Sequence, residues 1–226
     1  MAVVERLLGS VRRGTLLEIG CGTGIHLRAL APSFERVIGT DISPQMIARG
    51  RRDADASGLG ARIELRVDPG ERLATVAGGA VDAVLCVGAL EHMRDKPRVL
   101  AQVRRVLRDD GTFVCLTPNG GYCWYRTLAP RLGLETRHLS SDRFLDAREL
   151  QALSRAAGLE PRRIEPWRFV PRADMPAGWG RALGALDTVG RAARIRALRG
   201  GLALAARPVP SGARPAARRR AGLEQA

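Results

Sequence analysis

Three acids and three glycines are the residues best placed for chemistry. Glu18, Asp41 and Asp68 each stand near the end of a short apolar run, and Gly20, Gly22 and Gly24 alternate just after the first of them. Glycines at alternate positions accept dihedrals barred to other residues and let a ligand come close to the backbone. A carboxylate at the tip of a strand has two oxygens with which to accept both hydroxyls of a ribose. Glu18 is costly to bury near the end of an apolar run unless something pairs with it. A second group follows the fourth apolar run, where Glu91 adjoins His92. An imidazole titrates near neutrality and can carry a proton. His138, ahead of Phe144, is a third candidate, either to orient a ligand or to bond the backbone of its loop.

The elements that must hold these residues read as alternating strands and helices. Thr15 to Ile19 is apolar and stops sharply at Gly20, as a parallel strand covered on both faces does. A helix from Ile25 to Ala31 follows, halted near Pro32. Arg36 to Thr40 forms a second strand with Asp41 at its end. Ser43 and Pro44 then supply a cap and a first helical position for a helix running to about Ser57. Ile63 to Val67 alternates as a third strand, closed by Asp68-Pro69-Gly70, which is also a strong turn former. Val81 to Val87 is a fourth strand. A helix from Asp95 to Arg108 is expected to end at Asp109-Asp110-Gly111, before a fifth strand over Thr112 to Leu116. Asp146 to Ala157 reads as a helix, Leu159 to Val170 as a sixth strand, and residues 178 to 198 as helical with Leu183, Leu186 and Val189 on one face. Gly201 to Pro208 is the last strand, and residues 1 to 13 make one short helix with Val3, Val4, Leu7 and Leu8 inward. This alternation is that of an α/β, doubly wound domain.

A dinucleotide site prefers G-x-G-x-x-G, whereas Glu18 to Gly24 reads E-x-G-x-G-x-G. The stretch resembles motif I of the class I S-adenosylmethionine-dependent methyltransferases. D-x-V in the fourth strand, a cysteine, then Leu90-Glu91-His92 is similar to the branch that includes the ubiquinone-biosynthesis O-methyltransferases. The resemblance implies a Rossmann-like, seven-stranded sheet of order 3-2-1-4-5-7-6 with strand 7 antiparallel. It implies S-adenosyl-L-methionine as cofactor across the carboxyl ends of strands 1 to 4. The positions that match its cofactor residues are Glu18, Gly20, Cys21, Gly22, Gly24, Asp41, Ile42, Met46, Asp68, Pro69 and Val87. Asp41 would take the ribose hydroxyls and Asp68 the adenine amino group, while Glu91-His92 would border the acceptor. Some members hold a divalent metal with two acids and a histidine here, but Gly88 occupies the first acid's place and no metal is expected. Thr117-Pro118-Asn119 differs from the motif of enzymes that methylate the amino groups of bases, and the Pro-Cys pair of cytosine C5 enzymes is missing.

Composition narrows the partners. With 37 basic and 23 acidic residues the formal net charge is +14, yet Lys96 is the sole lysine. An almost purely arginine count reads as a solvated basic surface, which argues against a nucleic-acid partner. Contact of the basic C-terminal third with an anionic membrane surface is the alternative. The four cysteines lack paired metal-like spacing and read as reduced, cytoplasmic residues. Residues 1–208 are expected to form the catalytic domain, with 120–144 and 171–200 inserted on the substrate side. The basic tail 209–226 is expected to be disordered. Tyr122, Trp124 and Tyr125 form either an aromatic wall for an acceptor or the core of a cap. The expected activity is methyl transfer to a small molecule, most simply to an oxygen, with His92 as candidate base. The rivals are a lipid-linked or polysaccharide-precursor acceptor, and a nucleic-acid-binding protein without turnover. The sequence does not indicate an oligomeric state.

Overall fold

The structure is a computed structural model that describes residues 1–131, 133, 142–167, 177–195 and 198–210. His138, with the rest of residues 134–141, and residues 168–176, 196–197 and 211–226 lie outside the described residues.

The chain enters the middle of its sheet. Strand β1 (Thr15–Ile19) pairs in parallel with β2 (Arg36–Asp41) on one side and with β4 (Val81–Val87) on the other. Strand β3 (Ile63–Val67) extends the sheet beyond β2, and β5 (Leu107–Pro118) extends it beyond β4. Strand β7 (Gly201–Pro208) runs antiparallel between β5 and β6 (Leu159–Trp167). The order is β3-β2-β1-β4-β5-β7-β6, as the resemblance implied. The chain reverses its direction of travel across the sheet between β1 and β4. In such sheets ligands lodge in the crevice outside the carboxyl ends at that reversal.

Both faces are covered, which is why β1 and β4 are apolar along nearly their whole length. One core joins α1 (Ala2–Leu8), α2 (Ile25–Leu30) and α3 (Pro44–Ala56) to the sheet through Leu8, Leu27, Leu30 and Ile47. On the other face α4 (Lys96–Val106) packs through Val99, Leu100, Val103 and Val106, beside Leu150 of α6 (Ala147–Ala156). Helix α3 starts where Ser43 accepts a hydrogen bond from the Met46 amide at 3.3 Å, with Pro44 at the first helical position. Helix α6 starts on a reciprocal capping box between Asp146 and Glu149.

A third, smaller cluster sits past the carboxyl end of β5. Tyr122, Trp124 and Ala129 pack against Leu183. Tyr122 precedes a π-helical turn (Trp124–Leu128) that continues into α5 (Ala129–Arg131), and Leu183 lies on α7 (Ala177–Ala192).

The boundaries depart from the sequence reading in three places. Helix α4 ends at Val106, and Asp109 to Gly111 lie inside β5 rather than closing the helix. Leu107 pairs with Val81, and the ladder resumes at Thr112 opposite Ala83, so sheet pairing takes over one turn early and the extra residues are absorbed as an irregularity. On α7 Leu183 is buried and Leu186 packs beside it as expected, but Val189 is 54% exposed, and the buried face continues through Asp187 and Gly190. The reason is electrostatic: Asp187 accepts from Arg199 Nε at 2.9 Å, and both are buried. Finally, α2 passes directly into a 3-10 turn over Ala31–Ser33 that contains Pro32.

Candidate active site

The glycine turn is built from positive-φ residues. Gly20, Gly22 and Gly24 have φ of 65°, 53° and 71°, a region other residues enter only at a cost. A Cβ on Gly20 would come within 2.5 Å of Ala89 Cβ, so the turn and the segment after β4 touch only because no side chain stands there. A Cβ on Gly22 would meet nothing within 4 Å, so this backbone faces open space.

Asp41 is tied into the turn. Its Oδ2 accepts from the Gly22 amide at 2.9 Å and its Oδ1 from the Ser43 amide at 2.8 Å. The carboxylate is thus fixed between β1 and the start of α3, and each oxygen keeps a second lone pair for a ligand. Glu18 is 1% exposed. Its Oε1 lies 2.7 Å from His26 Nδ1, and its buried Oε2 has no partner among the described residues. Burial pushes the Glu18 carboxyl up, against the opposing pull of His26. The neighbouring Cys21 thiol is pushed up by burial and by Glu18 and Asp41, which makes it an unreactive wall.

Asp68 is also buried. Its Oδ2 accepts from both the amide and the hydroxyl of Thr75 at 2.7 Å, while its Oδ1 makes no hydrogen bond among the described residues. Pro69 anchors the loop behind it, accepting from the Arg72 and Leu73 amides. Gly70 presses on the tip of β1, since a Cβ there would sit 3.0 Å from Ile19 Cγ2. Half-buried Val87 ends β4, and the Gly88 amide donates to the Leu116 carbonyl at 2.8 Å.

Most large apolar side chains of this protein are buried, but Ile25, Ile42, Met46 and Val67 are 63%, 72%, 46% and 48% exposed. All four stand at the glycine turn or at the carboxyl ends of β2 and β3. Apolar groups left in water together at one end of a sheet mark a ligand surface. Ile25 was not among the residues singled out from the sequence, because exposure does not show in a helical apolar pattern.

Across the crevice, a 3-10 turn (Leu90–His92) presents the second group. Glu91 is buried, with Oε2 accepting from the Thr117 hydroxyl at 3.1 Å, and burial pushes its carboxyl up. Lys96 Nζ donates to the Glu91 and Met93 carbonyls at 3.0 and 2.8 Å, which locks the turn from behind. Burial and the nearby Arg143 hold that ammonium's affinity for its proton below the ordinary lysine range. His92 Nδ1 lies 2.6 Å from Asp142 Oδ1. The histidine side chain is 37% exposed and the aspartate side chain 0% exposed, so a buried acid orients an accessible imidazole. Asp142 was not foreseen from the sequence; fifty residues separate it from His92. His138 falls outside the described residues.

The aromatic segment divides between two roles. Tyr122 and Trp124 are each 1% exposed and serve as core of the cap. Tyr125 is only half-buried and packs against Phe144 with ring centroids 4.6 Å apart, and burial pushes its phenol up, with smaller contributions from Tyr122 and Glu91. Among the described residues no group of three or more His, Cys, Asp or Glu is arranged to hold a metal ion, and no helix is long and apolar enough to cross a membrane.

The residues present fit S-adenosylmethionine. An unpartnered buried carboxylate oxygen on Glu18 calls for a cationic donor, Asp41 offers acceptors to paired hydroxyls, and the exposed apolar residues offer cover to a flat base. Comparison with known proteins agrees. The family described as "Methyltransferase domain" matches residues 17–115. The ubiquinone biosynthesis O-methyltransferase of Bordetella avium is 30% identical over 178 residues, 74% of this chain and 71% of its own length. Its counterpart in Cereibacter sphaeroides is 32% identical over 185 residues, covering 76% and 68% respectively. The fold is that of geranyl diphosphate methyltransferase solved in complex with SAM, at a TM-score of 0.68 over 90% of this chain and 82% of that one, with 20% sequence identity. Fold, glycine turn and relatives converge: the chain belongs to the class I S-adenosylmethionine-dependent methyltransferases, and it is an enzyme of that family.

Proposed function

We propose that this enzyme methylates an oxygen of a small-molecule acceptor seated against Tyr125 and Phe144, with His92 as the base and Asp142 as the group that orients it. The observation that carries this reading is the His92–Asp142 pair at 2.6 Å, with the histidine accessible and the aspartate buried. When Nδ1 donates its proton to Asp142, the neutral imidazole carries its lone pair on Nε2, the tautomer a base needs. A neutral hydroxyl is a weak nucleophile and gains from such a base. The relatives named O-methyltransferase support the choice of oxygen.

Bound S-adenosylmethionine supplies a methyl electrophile on a positively charged sulfonium. Asp41 accepts the ribose hydroxyls, and the lone Oε2 of Glu18 takes the ammonium of the methionine end. Oδ1 of Asp68 accepts the adenine amino group, with Ile42, Met46 and Val67 against the base. Glycine main chain at Gly20 and Gly22 allows close approach, and Val87 and Pro69 close the sides. Much of the rate comes from holding the acceptor oxygen in line with the methyl group.

The test is S-adenosylhomocysteine release with a panel of phenols and catechols beside amines of similar size. The expected outcome is turnover with an oxygen acceptor and none with the amines. His92→Gln should lower kcat by about 10²- to 10⁴-fold at neutral pH, with activity recovering as rising pH ionises the acceptor itself. Turnover confined to amines, or an unchanged His92→Gln enzyme, overturns the proposal.

A further inference from the structure

The sheet carries a second recess at the end remote from the glycine turn. It lies between α1 and the β5–β7–β6 edge, holds about 400 Å³, and is lined by Arg6, Arg162, Arg163, Arg207 and Thr112 among others. Thr112 lies opposite Ala83, where the ladder of β5 with β4 resumes after its irregularity, whereas Leu116 lies opposite Val87 at the carboxyl end. Four strand residues at about 3.3 Å each put it roughly 13 Å from the crevice already described.

We infer that this recess is a binding site for a phosphate-bearing small molecule. Four guanidinium groups converge on it and face one carboxylate, Glu165, which pairs with both Arg6 and Arg163. Arg162 and Arg207 have no ion-pair or side-chain hydrogen-bond partner among the described residues, so the recess keeps a surplus of positive charge. A register shift between Pro161 and Arg163 opposite β7 makes Arg162 the extra residue of a bulge, and such bulges re-aim side chains. Thr112 forms part of the floor and is 3% exposed, and its buried hydroxyl has no hydrogen-bond partner among the described residues. A hydroxyl and forked guanidiniums together suit phosphate oxygens, which guanidiniums bind two at a time. The recess is concave and of ligand size rather than a flat basic face. That favours a soluble phosphate ester over a membrane of phospholipids, although the headgroup chemistry is shared.

The probe is inorganic pyrophosphate, titrated calorimetrically into the full chain at constant ionic strength, beside sedimentation with vesicles of phosphatidylglycerol and phosphatidylcholine. Saturable 1:1 binding is expected, weakened about tenfold by Arg162→Ala or by Arg207→Ala, the scale of one charged hydrogen bond. Arg148→Ala, which removes an exposed arginine from α6 on the opposite face, should leave it unchanged. Affinity for S-adenosylhomocysteine should be the same in all three variants, so this site can fail or stand independently of the methyl-transfer reading. No saturable pyrophosphate binding, an equal loss in Arg148→Ala, or vesicle binding that pyrophosphate does not displace overturns the inference.

Discussion

Glu18 is held in an unfavourable setting that His26 relieves only on one oxygen. Its carboxyl is raised by burial, and one oxygen lacks a partner among the described residues. An acid raised in the folded state contributes its full stability below the unfolded pKa, and that contribution is lost as pH rises through the folded value. Glu18→Gln should therefore gain stability relative to the wild type as pH is raised from the ordinary glutamate range of about 4 towards neutrality, while its affinity for the cofactor falls. Thermal unfolding of both proteins across that range checks it, and a wild type that keeps a constant margin over the variant would contradict the assignment. The glycines and the acids at positions 18, 41 and 68 were legible in the sequence because each lies within a few residues of a strand end. Asp142 was not legible, since its meaning comes from His92, fifty residues away on another element. Ile25 was missed for a related reason: its neighbours in sequence do not reveal that it faces water.

Helices and strands place these residues with different reliability. The order of the seven strands came from the resemblance, and the local strand positions came from apolar runs that a two-sided sheet demands. Where local pattern and tertiary pairing compete, pairing won. Leu107 continues a good helical stripe, yet it leaves α4 to pair with Val81. Likewise Leu183 and Leu186 of α7 face the core as their spacing indicates, but Val189 does not, and a charge at Asp187 is buried against Arg199 instead. That pair holds α7 over the carboxyl end of β5, where Asn119 Nδ2 also donates to the Arg199 carbonyl at 2.9 Å. Asp187→Ala leaves a buried guanidinium without its carboxylate and should cost about 3–5 kcal/mol in denaturant unfolding. Asp187→Leu with Arg199→Met removes both charges and should restore most of that loss. A loss below about 1 kcal/mol in the single variant would show that α7 is held by its apolar contacts alone.

At the scale of the molecule, the two ends of one sheet carry different chemistry. The carboxyl ends gather glycine backbone, buried acids and exposed apolar side chains, while the amino end of β5 gathers arginines around a buried hydroxyl. The large net charge read at first as a diffuse surface property is thus concentrated in part at this recess. Of the tail expected over residues 209–226, the Val209 amide donates to the Gly158 carbonyl at 2.8 Å, and residues 211–226 lie outside the described residues. Everything proposed for methyl transfer depends on the crevice at β1 and β2 holding the cofactor through Asp41. Calorimetric titration of the chain with S-adenosylhomocysteine, beside Asp41→Ala, tests that dependence most directly. The account predicts 1:1 binding to the wild type and at least about tenfold weaker binding to the variant, as the loss of charged hydrogen bonds requires. Equal affinity in the two proteins, with both folded, would contradict it.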